Sequence, residues 1–152
     1  IPTIVMAAIF PGLSQAKHFS AHFRKGVLLL TLSGIAGGSA VFLLAEWIIH
    51  LFFAAEFQSS ANILQILAFA IPLVFWGYLM TQSLVALDHN RIYLGITAGG
   101  VLLNVLLNFW LIPEHGASGA AVATVITEAL IPFSCFLMIL KHQLSSPPAH
   151  GA

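Results

Sequence analysis

The stretch GVLLLTLSGIAGGSAVFLLAEWIIH (residues 26–50) decides the fold class. Its apolar part, 27–49, is as long as the about 20 residues a helix needs to cross a hydrocarbon core. A barrel strand would instead show about ten residues of alternating polarity, and GVLLLTL does not alternate. Lipid gives the backbone no hydrogen-bond partners, so an isolated apolar run of this length satisfies its amides within itself, as a helix.

Three more runs of this kind follow, at 63–87, 92–112 and 119–140, and 1–13 reads as the end of another helix. Between them lie segments with loop chemistry: KHFSAHFRK (17–25), AAEFQSSAN (54–62), DHNR (88–91) and PEHGASG (113–119). The expected fold is all-α, a polytopic transmembrane helix bundle with four full spans and one partial span over 1–141. The tail 142–152, which ends in SSPPAHGA, has no periodicity and is expected to be disordered. The chain opens inside an apolar stretch at Ile1 with no signal-peptide pattern, so further helices are expected upstream.

Composition agrees. Hydrophobic residues make up 59% of the 152 and charged residues 7%, against about 25% charged in soluble domains. The mean hydropathy is +0.98. A net charge of zero gives no basic surface for nucleic acid. The single cysteine, Cys135, excludes an intrachain disulfide and a cysteine metal site. It reads as a small apolar side chain. The histidines form no H-E-x-x-H motif, and there is no P-loop or G-x-G-x-x-G. Nothing points to a metal, a cofactor, ATP hydrolysis or a catalytic group.

Lys and Arg favour cytoplasmic loops. Alternating spans put Lys17, Arg24, Lys25, Arg91 and Lys141 on one side and the loops holding Glu56 and Glu114 on the other. The expectation is a multi-pass membrane protein with a cytoplasmic C-terminal tail.

Small residues mark where helices approach closely. Gly34 and Gly38 form a G-x-x-x-G pair. Gly116 and Ala120 lie four apart, as do Gly119 and Ala123. Pro72 and Pro132 fall inside spans and are expected to kink them. Ionisable groups at membrane depth are costly and mark function. Glu128 is the clearest, with Thr124 one turn earlier on its face. Asn104 and Asn108 share a face of the preceding span, with Gly100 one turn below. These four, Glu128, Thr124, Asn104 and Asn108, are the candidate cavity residues for a polar substrate group, a proton or a cation. Glu46 and His50, also four apart, read as an interfacial pair.

The stretch NVLLNFWLIPEHGASGAAVATVITE (104–128) resembles bacterial polysaccharide-export flippases of the multidrug/oligosaccharidyl-lipid/polysaccharide superfamily. The matching elements are Asn104 and Asn108, the Leu-Ile-Pro at 111–113, and the Gly-Ala-x-Gly-Ala-Ala at 116–121. AIFPGLSQ (8–15) and residues 57–91 fit the same pattern. The resemblance implies the C-terminal lobe of a MATE-like, two-lobed transporter working by alternating access. It implies an undecaprenyl-diphosphate-linked oligosaccharide as cargo, with H⁺ or Na⁺ as a possible coupling ion. An N-terminal lobe of the same chain would complete the cavity and supply the diphosphate contacts. Two relatives of that fold stay open: a multidrug exporter and a peptidoglycan-precursor flippase. A membrane-embedded transferase is the alternative from another class.

Overall fold

The computed structural model describes residues 19–53 and 57–145, with side chains over 27–53 and 57–141. The partial span at 1–13, Lys17 and residues 146–152 of the tail lie outside them. The described chain is helical: α1 (Phe19–Phe52), α2 (Ser60–Ala68), α3 (Ala70–Ala86) and α4 (Asn90–Ser145). Among the described residues three stretches are long and apolar enough to cross a membrane, Val27–Phe52, Ser60–Ala86 and Asn90–Lys141. Large apolar side chains face outward along them: Leu43 is 78% exposed and Phe109 79%. A helix with apolar residues on its outer side too is suited to lipid rather than water.

Several expected boundaries move. The basic segment 17–25 is helical from Phe19, because Arg and Lys are good helix formers that a hydropathy reading passes over. Residues 142–145 of the expected tail extend α4. The expected span 63–87 is two helices in succession, interrupted at Phe69, whose N–H reaches back to the Ile66 carbonyl at 3.2 Å. Pro72 lies three residues later and cannot donate to the Ala68 carbonyl, so the helix breaks one turn ahead of it.

The expected loop 113–119 is not a loop. Helical backbone runs through Pro113, and Gly116 alone departs, with φ 58° and ψ −137°. The 52 residues of Asn90–Lys141 would form a straight rod of about 78 Å, more than twice the roughly 30 Å of a hydrocarbon core. The turn at Gly116 folds them back instead. Contacts step outward from it in register: Gly119 sits against the Leu111 carbonyl, Asn104 meets Thr127, and Gly100 lies under Ile131. The arms 90–115 and 117–145 are therefore antiparallel neighbours.

α1 runs antiparallel to α2 and α3. Gly38 lies against Ala68, and Gly34 against Pro72 and Phe75. The second arm of α4 packs on α3: Pro132 touches Gly77, and Cys135 and Ile139 join Leu30, Leu79, Met80 and Leu84 in the buried core. This topology gathers the Lys and Arg residues of the described helices, Arg24, Lys25, Arg91 and Lys141, at one end of the bundle. Glu46 and Glu114 lie toward the other. At the basic end the α3–α4 turn is tightened by Asp88 in a left-handed conformation, φ 58°, whose carboxylate accepts from Asn90 at 3.3 Å. Asp is one of the few residues that adopt this conformation readily.

Candidate functional site

The four candidate cavity residues fall into two groups. The first lies between the arms of α4. Asn108 donates through Nδ2 to the Asn104 side-chain oxygen and to the Asn104 carbonyl, both at 2.9 Å. Asn104 donates across the seam to Thr127 Oγ1 at 3.2 Å. Thr127 in turn donates to the Ala123 carbonyl at 2.8 Å. The series runs in one direction and ends on backbone. It leaves Asn108 Oδ1 buried with no hydrogen-bond partner among the described residues, and Thr97 Oγ1 the same. A buried acceptor of this kind carries a desolvation cost that only an added donor, a water or a cation relieves. Asn108 also lines an open cavity of about 360 Å³ with Val105, Phe109, Ile112 and Pro113.

Thr127, only 6% exposed, is the cross-seam partner that the sequence reading did not select. The signal was present. Gly119 and Ala123 are spaced by four, and one more step of four along that small-residue stripe reaches Thr127.

Glu128 belongs to the second group. One residue further along an α-helix is about 100° further round, so Glu128 leaves the seam that Thr127 faces. Its stripe continues through Pro132, Cys135 and Ile139, the residues that pack on α3. Glu128 is half-buried and makes no hydrogen bond or ion pair among the described residues. Thr124, one turn before it, donates to the Ala120 carbonyl at 3.0 Å. The structure thus joins Asn104 and Asn108 in one network and sets Glu128 and Thr124 on a neighbouring stripe. Glu46 and His50 form no ion pair among the described residues; both line a separate cavity.

The cross-seam bond gives a direct test. A double-mutant cycle of Asn104→Leu and Thr127→Val should show a coupling of about 0.6 kcal/mol and no more than about 1.7, the average and the maximum found for interhelical hydrogen bonds in a membrane protein. Unfolding in detergent can be followed by a thiol-reactive dye, since Cys135 is the only cysteine and is buried. Additivity of the two single changes would mean the bond contributes nothing.

Three relatives match across nearly the whole chain. An uncharacterized membrane protein of Methanocaldococcus jannaschii is 26% identical, over 91% of this chain and 34% of its own length. A "probable multidrug resistance protein" of Bacillus subtilis is 26% identical, over 93% and 33%. A "probable low-salt glycan biosynthesis flippase" of Haloferax volcanii is 28% identical, over 93% and 30%. The chain therefore spans about a third of the length of the curated relatives it matches. No protein-family model and no solved structure gives a significant match. The likenesses point to a membrane transporter or flippase family, and two of the three relatives carry transporter names and none an enzyme's.

Proposed function

We propose that this chain is part of a transporter that flips an undecaprenyl-diphosphate-linked oligosaccharide across a bacterial cytoplasmic membrane by alternating access. Each arm of α4 crosses the bilayer separately, so α1, α2 with α3, and the two arms make four crossings. The end bearing Arg24, Lys25, Arg91 and Lys141 faces the cytoplasm, following the preference of basic residues for that side.

The observation that carries the reading is the polar seam of Asn104, Asn108 and Thr127 within otherwise apolar helices, with its buried acceptor left open at Asn108. Polar groups at membrane depth are costly and persist where they serve a polar ligand or a coupling ion. The glycan cargo is favoured by the Leu-Ile-Pro to Gly-Ala-Ala element and by the Haloferax relative's name. The likeness to a multidrug resistance protein supports the second reading, an H⁺- or Na⁺-coupled drug exporter. Glu128, a carboxyl without a partner among the described residues, suits either as the ion-linked group.

The test is Glu128→Gln in the full-length protein in cells. The variant should insert to the same level and export less polysaccharide. Unchanged export would remove Glu128 from the site. Efflux of a cationic dye, with no defect in glycan export on deletion, would favour the drug exporter.

A further inference from the structure

The end of the bundle opposite the basic residues holds a cavity that the transport reading leaves unused. It has a volume of about 220 Å³ and lies where the C-terminal turns of α1 meet the start of α2. Glu46 and His50 line it from α1, and Gln58 and Asn62 from the α2 side. Ile49 and Ala61 form the apolar remainder. None of the four polar side chains makes a hydrogen bond or ion pair among the described residues. Ser59, which precedes α2, also makes no capping bond with its side chain.

The donor set selects the ligand class. Two carboxamides, one imidazole and one carboxylate offer several donors and acceptors but a single formal negative charge. A hard divalent cation takes six or more oxygens, usually from several carboxylates. The described residues contain no cluster of three or more His, Cys, Asp and Glu able to hold a metal. An anion would meet Glu46. A neutral ligand with many hydroxyl groups matches all four side chains, because each hydroxyl both donates and accepts. Exposed aromatic rings stand close by in the chain: Trp47 follows Glu46 and is 61% exposed, and the Phe53 and Phe57 rings lie 5.9 Å apart between α1 and α2.

We propose that the cleft of Glu46, His50, Gln58 and Asn62 is a saccharide-binding subsite, which takes a sugar unit of the cargo at the end of the bundle where it is released. The ligand class rests on the flippase reading as well as on the donor set. Binding and export are therefore measured separately.

The binding probe is a panel of free trisaccharides built from glucose, galactose and N-acetylglucosamine, added to the full-length protein in a detergent without a sugar headgroup. Trp47 fluorescence is the readout, and Trp47→Phe assigns the signal against Trp76 and Trp110. At least one trisaccharide should give a saturable change. Gln58→Leu with Asn62→Leu should weaken it about tenfold or more, the loss expected from two or more hydrogen bonds. Gly95→Ala, at an exposed position with nothing within 4 Å, should leave it intact. No saturable response from any trisaccharide overturns the proposal. So does a response that survives in the Gln58/Asn62 variant, or one elicited by calcium chloride and not by sugar. A protein that exports glycan without a trisaccharide response keeps the transport reading and loses this subsite.

Discussion

Replacing Gly34 and Gly38 together by alanine should destabilise the folded chain by about 1–4 kcal/mol. Overpacking a close contact costs roughly 1–3 kcal/mol per site, and each Gly→Ala change in a helix returns about 0.5–1 kcal/mol of propensity. The geometry explains why overpacking wins. A Cβ on Gly34 would lie 2.7 Å from the Pro72 Cα, and one on Gly38 would lie 2.8 Å from the Ala68 carbonyl oxygen. Both obstacles are backbone, so neither can rotate aside. The same two glycines thus sit on the interruption between α2 and α3. Pro72 cannot donate to the Ala68 carbonyl, and only a residue without a side chain lets α1 come this close to it.

The controls are built into the chain. Gly95 and Gly99 have nothing within 4 Å of an added Cβ, so alanine there should be neutral or stabilise by up to about 1 kcal/mol. Gly37 meets only Ile71 at 3.7 Å, an ordinary contact, and should follow the controls. Gly100 is intermediate, since its obstacle is the flexible end of Ile131. Thermal unfolding read by dye uptake at Cys135 ranks the series. A Gly34/Gly38 variant that melts with the controls would show that α1 does not pack on the Pro72 break.

Residue spacing made the Gly34–Gly38 seam and the Pro72 interruption visible separately in the sequence. That one packs on the other was not visible, because the pairing joins segments distant in the chain, Gly38 with Ala68 and Gly34 with Pro72, and no local pattern records it. Hydropathy found the apolar runs but not where helices stop. Arg24 and Lys25 continue α1 past the apolar stretch, and the Pro113 segment stays helical despite a residue that usually ends helices. Proline there gives up the hydrogen bond to the Phe109 carbonyl, a single loss in an arm that reverses three residues later at Gly116. Within the polar seam the pairing of Asn104 with Asn108 was legible in their spacing, and their partner across the seam was not. Asn104 and Asn108 share a face, as their spacing requires, while Thr124 and Glu128 mark a stripe of the next span whose orientation no local pattern records. Thr127 faces the seam, and the step of about 100° from it to Glu128 turns that carboxyl toward a different neighbour.

The turn at Gly116 carries the second large effect. Its φ of 58° with ψ of −137° lies outside the compact left-handed region that Asn and Asp can enter, and a side chain there is strained by about 1–3 kcal/mol. No atom lies within 4 Å of a Cβ built at Gly116, so the whole effect of Gly116→Ala is conformational, in contrast to Gly34 and Gly38. Every cross-arm contact depends on the reversal: Gly119 with Leu111, Asn104 with Thr127, and Gly100 with Ile131. Gly116→Ala should therefore lower the unfolding midpoint and weaken the Asn104–Thr127 coupling in the same protein. Gly116→Asn should do the same, since the backbone angles are not those of an ordinary left-handed turn. If helical propensity instead straightened the segment, the arms would separate and the coupling would vanish. A Gly116→Ala chain with an unchanged midpoint and full coupling would show that the reversal does not require these angles. The antiparallel arms would then be held by the seam alone.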